Sequence, residues 1–318
     1  MQFFTSVPIT TINEEQKITY QSDIVSIGSC FADNISQKLT FYKWDVFSNP
    51  FGVIFQPLAI ENLLKRTIFE EYFTEKDIFF YDELWHSFEV HSECSFLKKE
   101  DILIYLNKKI EEFSLKIEKS THFIITLGTA WAYWHKENKY FVANCHKVPQ
   151  REFQKKVLSV TQILDSLQKI ESYIKQKNPK INIIFTISPV RHLKDGFVEN
   201  QYSKSLLFCA LHQFLEDKKN NCFYFPAYEI LMDELRDYRF YAEDLVHPSA
   251  QAIEYIWERF LQTFIHSNCL ETMKEVKAIT QGLAHRAQNP NSPKHQLFLQ
   301  NIHKKIEKLQ KQNPKIKF

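Results

Sequence analysis

The chain has few glycines, and this scarcity makes the position of each one informative. It contains five glycines in 318 residues, whereas average usage is about 7%. Gly28 and Gly128 each end a β-like run, and Gly52 lies in the segment NPFG. In a chain with so few glycines, each glycine is expected at a position where no side chain fits. Gly28 and Gly128 therefore mark turns at which strands end.

Paired cysteine motifs are also absent. The six cysteines are scattered along the chain without CxxC spacing. This pattern argues against a disulfide scaffold and against a zinc ribbon. Each cysteine must therefore be interpreted from its neighbours.

Long apolar runs and an excess of one charge are missing as well. No run approaches the ~20 residues needed to cross a bilayer, and the N-terminus lacks the basic start and apolar core of a secretory signal. The 40 Lys and Arg against 38 Asp and Glu give a net charge of +2, which provides no field for attraction to nucleic acid or an anionic membrane. We expect a cytoplasmic protein without nucleic-acid or membrane partners. Its oligomeric state is left open.

Hydrophobic residues make up 44% of the chain and aromatic residues 15%, so there is enough apolar surface for a core, and a disordered chain is excluded. Four β-branched runs predict buried strands, at 23–28, 122–127, 181–187 and 221–225. Apolar residues at helical spacing predict helices, at 32–41, 60–69, 101–117, 154–175, 200–216 and 249–265. A hairpin is predicted after Gly128. Strands that alternate with helices pair in parallel through right-handed crossovers. The predicted fold class is therefore α/β, with three α/β/α layers around a central, mainly parallel sheet.

The composition changes after residue 267. Two further helices are predicted at 270–287 and 294–312, separated by the breaker NPNSP. We expect an α/β domain at 1–267 and a C-terminal helical extension, or appendage, at 268–318.

The segment SIGSCFADNI places Cys30 at the turn between the first strand and a helix. A side chain at such a turn is exposed at the top of the sheet, near backbone N–H groups and the positive end of the helix. This position predicts a thiol pKa below its reference of about 8.5. Cys30 therefore lies where a nucleophile would lie, although a small cysteine beside a glycine is also common in plain packing.

The segment EDLVHPS, before the last core helix, contains Asp244 and His247 three positions apart. This spacing lets one short turn direct both side chains toward one cleft, with the carboxylate orienting the imidazole. The alternative is a surface acid and a histidine that caps a helix.

Together, a nucleophile after the first strand, an Asp–His pair near the end and a glycine turn between them resemble the SGNH or GDSL hydrolases. The segment IVSIGSCFA resembles the namesake motif of the GSCFA family in that superfamily, and the resemblance covers roughly residues 23–264. It implies an SGNH/flavodoxin-like fold and ester chemistry without an organic cofactor. The nucleophilic serine of the superfamily is replaced by Cys30 and its neighbouring aspartate by Ser29, which remains a rival nucleophile.

The same resemblance assigns the oxyanion hole. Its glycine corresponds to Gly52, and the GxND block falls on Gly128 and Thr129, where the asparagine is missing. Loss of one oxyanion donor can cost about 2.7–4 kcal/mol of transition-state stabilisation. Thr129 is a possible replacement donor.

Two further clusters resemble GSCFA sequences. Asn144 and His146 lie in NCHKVP after the hairpin, and His192 lies in SPVRH after the third strand. Sheet geometry predicts the second cluster on the rim of the site, and the hairpin would fold the first over the same cleft. Any of these three side chains could supply the missing donor.

We therefore expect an esterase or acyltransferase that acts on an acylated small molecule or carbohydrate, with Cys30 as nucleophile, His247 as base and Asp244 orienting it. One alternative is a non-catalytic acyl- or glycan-binding module on the same fold. Another is a soft metal site, if a set of Cys, His and Asp side chains converges: Cys30, Cys145, His146, His192, Asp244 and His247.

Overall fold

β-Strands and helices alternate through the parts of the chain that this computed structural model describes, residues 5–216, 221–285 and 288–318. The strands are β1 (Asp23–Gly28), β2 (Asp45–Ser48), β3 (Phe79–Tyr81), β4 (Leu84–His86), β5 (His122–Leu127), β6 (Trp131–His135), β7 (Tyr140–Val142), β8 (Phe153–Val157), β9 (Asn182–Ile187) and β10 (Cys222–Phe225). The helices are α1 (Cys30–Phe41), α2 (Pro57–Phe69), α3 (Lys99–Lys119), α4 (Val160–Lys177), α5 (Phe197–Glu216), α6 (Ala227–Glu229), α7 (Ala250–Phe264), α8 (Cys269–Ala284) and α9 (Pro293–Gln312).

The central sheet has five strands in the order β10-β9-β5-β1-β2, and every neighbouring pair in it is parallel. The winding direction reverses between β1 and β5. In open parallel sheets, ligands bind outside the carboxyl ends of the strands at such a reversal. The predicted parallel α/β sheet is confirmed, and its order places the end of β1 at the expected crevice.

Burial on both faces explains the composition of the inner strands. Alternate side chains of a strand point to opposite faces, and Ile24, Ile124 and Ile184 belong to one core cluster, whereas their neighbours Val25 and Phe123 belong to the other. Helices α2, α3, α4 and α5 cover the face with Val25. Helices α1, α7, α8 and α9 contribute to the opposite cluster. The result is the three-layer α/β/α arrangement predicted from the sequence.

The two C-terminal helices are packed on the core. Val276, Leu309 and Ile316 have at most 1% of their surface exposed and share a cluster with Ile24 of β1. Lys315 Nζ also lies 2.9 Å from both carboxylate oxygens of Asp23. The division of the chain at residue 267 stays a prediction.

A small antiparallel sheet, in the order β7-β6-β8, follows the central strand β5. It confirms the hairpin predicted after Gly128. The predicted helix at 154–175 is wrong in its first turn, because Phe153–Val157 pairs with β6 as β8. Helix α4 begins only after Ser159, whose side chain forms a capping box with Gln162.

The remaining differences concern short elements. Strand β2 and the β3–β4 hairpin are absent from the sequence prediction, which otherwise recovers every strand of the central sheet. Helix α8 ends at Ala284, and residues 286 and 287 of the predicted helix lie outside the described residues.

Candidate active site

The turn after β1 is fixed by its glycine and by Asn49. Gly28 has φ 148° and lacks room for a side chain, since a Cβ there would lie 2.3 Å from the carbonyl oxygen of Thr126. Its N–H donates to Oδ1 of Asn49 at 2.9 Å. Ser29 then caps α1, and Cys30 is the first residue of that helix. The strand end and the cap therefore hold the Cys30 thiol at the carboxyl edge of the sheet.

The Cys30 side chain is partly exposed, but its surroundings oppose ionisation. Burial is the main cause that raises the pKa of the Cys30 thiol, and the negative charge of Asp33 raises it further. The N–H groups of Phe31 and Cys30 and the charge of Lys204 act in the opposite direction, more weakly. The predicted lowering of the thiol pKa is therefore wrong. Burial and a nearby carboxylate outweigh the helix N-terminus, so Cys30 needs a base to become a nucleophile.

Ser29, the rival nucleophile, is 2% exposed. Its Oγ accepts the N–H of Phe31 at 3.2 Å. The hydroxyl is therefore used as a helix cap, which leaves Cys30 as the accessible group of the pair.

Asp244 and His247 form a pre-organised pair in the turn before α7. Asp244 Oδ2 lies 2.6 Å from His247 Nδ1, and Oδ1 accepts the N–H groups of Val246 and His247, both at 2.9 Å. These bonds lower the pKa of the Asp244 carboxyl to about 2, and the bond from the backbone N–H of His247 has the largest effect. Asp244 is thus a carboxylate at neutral pH and orients the ring so that Nε2 is the nitrogen left for chemistry.

The His247 side chain is 51% exposed. Across residues 5–216, 221–285 and 288–318, no hydrogen bond joins it to the Cys30 sulfur. The two predicted partners are thus each held by their own turn, and the structure does not connect them directly.

Lys204 lies fully buried on α5, and the sequence analysis gives it no role. Its Nζ donates to the carbonyl oxygens of Gly128 and Ser188, each at 2.8 Å, at the ends of β5 and β9. Burial lowers the pKa of Lys204 to about 7, while the negative charge that Cys30 carries when ionised opposes this shift. A buried amine thus ties two strand ends together within electrostatic range of the thiol. Its signal in the sequence is its spacing, since Lys204 shares the buried face of α5 with Leu207 and Leu211.

His192 lies in the loop that follows β9. Its ring stacks on Phe55 with centroids 4.9 Å apart, and its Nε2 is buried without a partner among the described residues. Burial lowers the pKa of His192 to about 4, and the charges of Lys204 and His247 lower it further. The His192 ring is therefore neutral at pH 7 and lies within electrostatic range of both the buried amine and the Asp–His turn.

The predicted oxyanion donors already have partners. The N–H of Gly52 donates to the carbonyl of Asn49 at 2.9 Å, and the N–H of Gly128 to that of Phe55 at 2.8 Å. Thr129 Oγ1 lies 2.9 Å from Ser203 Oγ and accepts the N–H of Trp131. These bonds fix the backbone conformation at the strand ends. The assignment of the oxyanion hole to these residues stays a prediction.

Asn144 and His146 lie in the loop that follows β7. Asn144 Oδ1 accepts the N–H of His146 at 2.8 Å, and His146 Nε2 lies 2.7 Å from the carbonyl of Ser87. The His146 ring packs 4.7 Å from that of His86, and burial lowers the pKa of His146 to about 4. These contacts stabilise a loop against the β3–β4 hairpin, and none of them involves Cys30.

Two models of known protein families match this chain. The sequence model of the GSCFA family matches residues 23–260, well over half of the chain. The chain belongs to the GSCFA family. In this GSCFA protein, a second family model, described as the C-terminal domain of GSCFA domain proteins, matches residues 276–318. The family suggested by the segment IVSIGSCFA is thereby confirmed.

Two solved structures are similar to this GSCFA protein at low identity. One is a carbohydrate esterase family 3 from Talaromyces cellulolyticus, with a TM-score of 0.36, 7% identity, and coverage of 80% of this chain and 99% of that chain. The other is an acetyl esterase mutant with acetate ion, with a TM-score of 0.37, 8% identity, and the same coverage of 80% and 99%. A comparison with curated proteins finds no match. At these values neither structure bears on the chemistry of the site.

No group of three or more His, Cys, Asp or Glu side chains within the described residues could hold a metal ion. Among the helices in those same residues, none is long and apolar enough to span a membrane.

Proposed function

We propose that this GSCFA protein is an ester hydrolase or acyltransferase that uses Cys30 as its nucleophile and acts on an acylated small molecule or carbohydrate. The observation that carries the proposal is the placement of Cys30: a partly exposed thiol on the first residue of α1, at the carboxyl edge of the parallel sheet and beside the charge of Lys204. A thiol at this position can attack an acyl carbonyl that approaches along the crevice.

In the proposed reaction, His247 Nε2 accepts the thiol proton as the sulfur attacks the acyl carbonyl. The tetrahedral intermediate then collapses to a thioester, and the leaving alkoxide takes the proton back from the imidazolium. Water or an acceptor alcohol, deprotonated by His247, attacks the thioester and releases the thiol. Asp244, which accepts from Nδ1 at 2.6 Å, stabilises the imidazolium at both stages.

The raised pKa of Cys30 fits this sequence of steps, because a protonated thiol depends on a base during the attack. The proposal requires His247 to reach the sulfur in the substrate complex. Catalytic hydrogen bonds commonly tighten only in that complex. The partly exposed turn before α7, with Leu245 at φ 56°, is the element that would make this approach.

The second candidate is a module that binds an acyl or glycosyl ligand without turnover. The specific observation in its favour is that the N–H groups of Gly52 and Gly128 are both bonded within the fold. An oxyanion would then find fewer donors than an efficient esterase provides.

The test is turnover of 4-nitrophenyl acetate by the whole chain. Cys30→Ala is expected to abolish it, His247→Gln to reduce it by at least about 100-fold, from the range usual for general base catalysis, and Ser29→Ala to retain it. Cys209→Ala is the matched control, since Cys209 is an exposed cysteine on the outer face of α5. Full activity in Cys30→Ala would refute the proposal. No turnover together with intact acetate-ester binding would favour the binding module.

A further inference from the structure

A cavity of about 460 Å³ adjoins the turn that carries Asp244 and His247. Leu245, which lies between these two residues in the chain, lines the cavity, and so does Tyr241. Tyr241 forms an antiparallel bridge with Pro248, directly after His247. One wall of the cavity is therefore the same turn that orients the proposed base.

Arg191 lines this cavity, and its guanidinium forms few hydrogen bonds with the rest of the protein. Its Nη2 donates to the Sδ of Met232 at 2.9 Å, and its Nε is buried without a partner among the residues the structure describes. A thioether is a weak acceptor, whereas a guanidinium carries five N–H donors. Buried charged donors are costly to leave without an acceptor. The guanidinium of Arg191 is thus under-satisfied in the chain alone.

The other charged residues of the cavity are already paired. Arg236 lies 3.6 Å from Asp233, and Asp237 lies 3.0 Å from Arg239. In the part of the chain that the structure describes, no carboxylate pairs with Arg191. Arg191 is therefore the positive charge of this cavity that an incoming anion can neutralise.

The position of Arg191 links the cavity to the thiol. The charge of Arg191 acts on the buried Lys204, and Lys204 and Cys30 act on each other. Apolar and aromatic side chains form much of the remaining wall, among them Phe197 and Met232. Such a wall suits a hydrocarbon chain or ring next to a charged group.

We infer that Arg191 binds an anionic group of the substrate, a carboxylate or a phosphate, and that the apolar wall holds the hydrocarbon part beside it. This inference rests on the proposed function, because it names the substrate class of the same site. A guanidinium binds either anion through two parallel N–H bonds, which fixes the substrate's orientation as well as its position. An ester held in this way lies against the turn that carries His247.

The kinetic test compares esters that differ in charge. Phenyl acetate is the neutral reference for 4-acetoxybenzoate and 4-acetoxyphenyl phosphate, which carry the anion on the alcohol side. 4-Nitrophenyl butyrate is the reference for mono-4-nitrophenyl glutarate, which carries it on the acyl side. We expect the wild type to prefer at least one anionic ester over its reference, and the preferred one identifies the anion and its side. Arg191→Gln should lower kcat/KM for that ester by about 10- to 100-fold, mainly through KM, the loss typical of one charge-assisted pair.

Two further variants control this experiment. Arg191→Lys keeps the charge and should retain part of the preference. Arg151→Gln, a change at an exposed arginine that pairs with Glu152 and does not line the cavity, should leave it unchanged. Both variants and Arg191→Gln are checked by thermal melting. Equal rates for anionic and neutral esters in the wild type, or a loss in Arg151→Gln as large as in Arg191→Gln, would overturn the inference.

A binding experiment separates this inference from the proposed chemistry. Calorimetric titrations of Cys30→Ala use 4-hydroxybenzoate, phenyl phosphate and glutarate as probes, and are repeated with Cys30→Ala combined with Arg191→Gln. Binding that is lost with Arg191, together with a wild type that turns over no ester, supports the anion site and refutes the enzymatic proposal. Turnover of neutral esters without binding of any probe refutes the anion site and leaves the enzymatic proposal standing.

Discussion

Asn49 Nδ2 donates a hydrogen bond of 2.7 Å to Oδ1 of Asp33. The same amide group accepts the N–H of Gly28 through its own oxygen, so one side chain connects the strand end to the helix that follows it. Asp33 is three positions after Cys30 on α1. This bond therefore holds a carboxylate close to the thiol, where its negative charge opposes formation of the thiolate.

Asp33→Asn is expected to lower the pKa of the Cys30 thiol. Burial and then the charge of Asp33 raise this pKa, so removal of the charge leaves burial as the main opposing cause. The measurement is the pH dependence of iodoacetamide alkylation at Cys30, followed by mass spectrometry, whose midpoint should move to lower pH. Asp45→Asn is the control, since Asp45 begins β2 and pairs with Lys116. An unchanged midpoint in Asp33→Asn would contradict the prediction.

Lys204→Met is expected to remove a pH dependence of stability. The pKa of Lys204 falls from 10.5 to about 7 in the fold, so between these values the unfolded chain binds more protons than the folded chain. Rising pH across this window therefore stabilises the wild type relative to the variant. Urea unfolding at pH 7, 8 and 9 measures the difference.

The control for Lys204 is Lys194→Met, a change at an exposed lysine on the rim loop. It should leave the slope of unfolding free energy against pH as in the wild type. At all these pH values Lys204→Met also leaves the carbonyls of Gly128 and Ser188 without their donor, at a cost of about 1–3 kcal/mol each where they stay buried. Parallel pH slopes for the wild type and Lys204→Met would show that the amine does not titrate in this window.

Gly28→Ala is expected to destabilise the protein by about 3 kcal/mol or more, since backbone strain adds to a steric overlap. The residue has φ 148°, and the new Cβ would lie 2.3 Å from the carbonyl oxygen of Thr126. Gly282→Ala is the matched control. Gly282 lies within α8, and the new Cβ would contact the terminal Cδ1 methyl of Ile302, which can move aside. Chemical denaturation should show a change of less than about 1 kcal/mol for the control. Equal effects would mean that the turn before Ser29 tolerates a side chain.

Ile316→Ala tests whether the C-terminal segment contributes to the main core. Ile316 has no exposed surface and shares its cluster with Ile24, so its truncation should cost about 2–5 kcal/mol in a single unfolding transition. Leu297→Ala, at a position 59% exposed on α9, should change stability by less than about 0.5 kcal/mol. A separate low-temperature transition in Ile316→Ala would instead indicate that the segment folds by itself.

The inner strands could be predicted because burial on both faces leaves a continuous β-branched run. The run at 122–127 agrees in full with β5, and that at 181–187 differs from β9 by one residue. Strand β8, FQKKV, has no such run, since its middle residues are exposed. Its extended form depends on pairing with β6, which is a long-range contact that local composition does not record.

The local geometry of the candidate site was predictable to the same extent. Motif and spacing predicted that Cys30 follows a strand end and that Asp244 contacts His247, because both are local features. The direction of the thiol pKa was not predictable, since it depends on how deeply the fold buries the sulfur and on where Asn49 holds Asp33. Lys204 was missed for a related reason. The structural role of Lys204 depends on the carbonyl oxygens of two strand ends that lie far from it in the sequence, and the helix pattern does not show these contacts.

The ion pair between Lys315 and Asp23 joins residues 292 positions apart in the sequence. Asp23 is the first residue of β1, the strand that leads to Cys30. During translation, Asp23 leaves the ribosome long before its lysine partner has been added. Contacts of such sequence separation form late and slow the folding of a domain. The start of β1 thus gains this ion pair only after Lys315 has been added, so a nascent chain halted before Lys315 would hold that end of the strand less firmly.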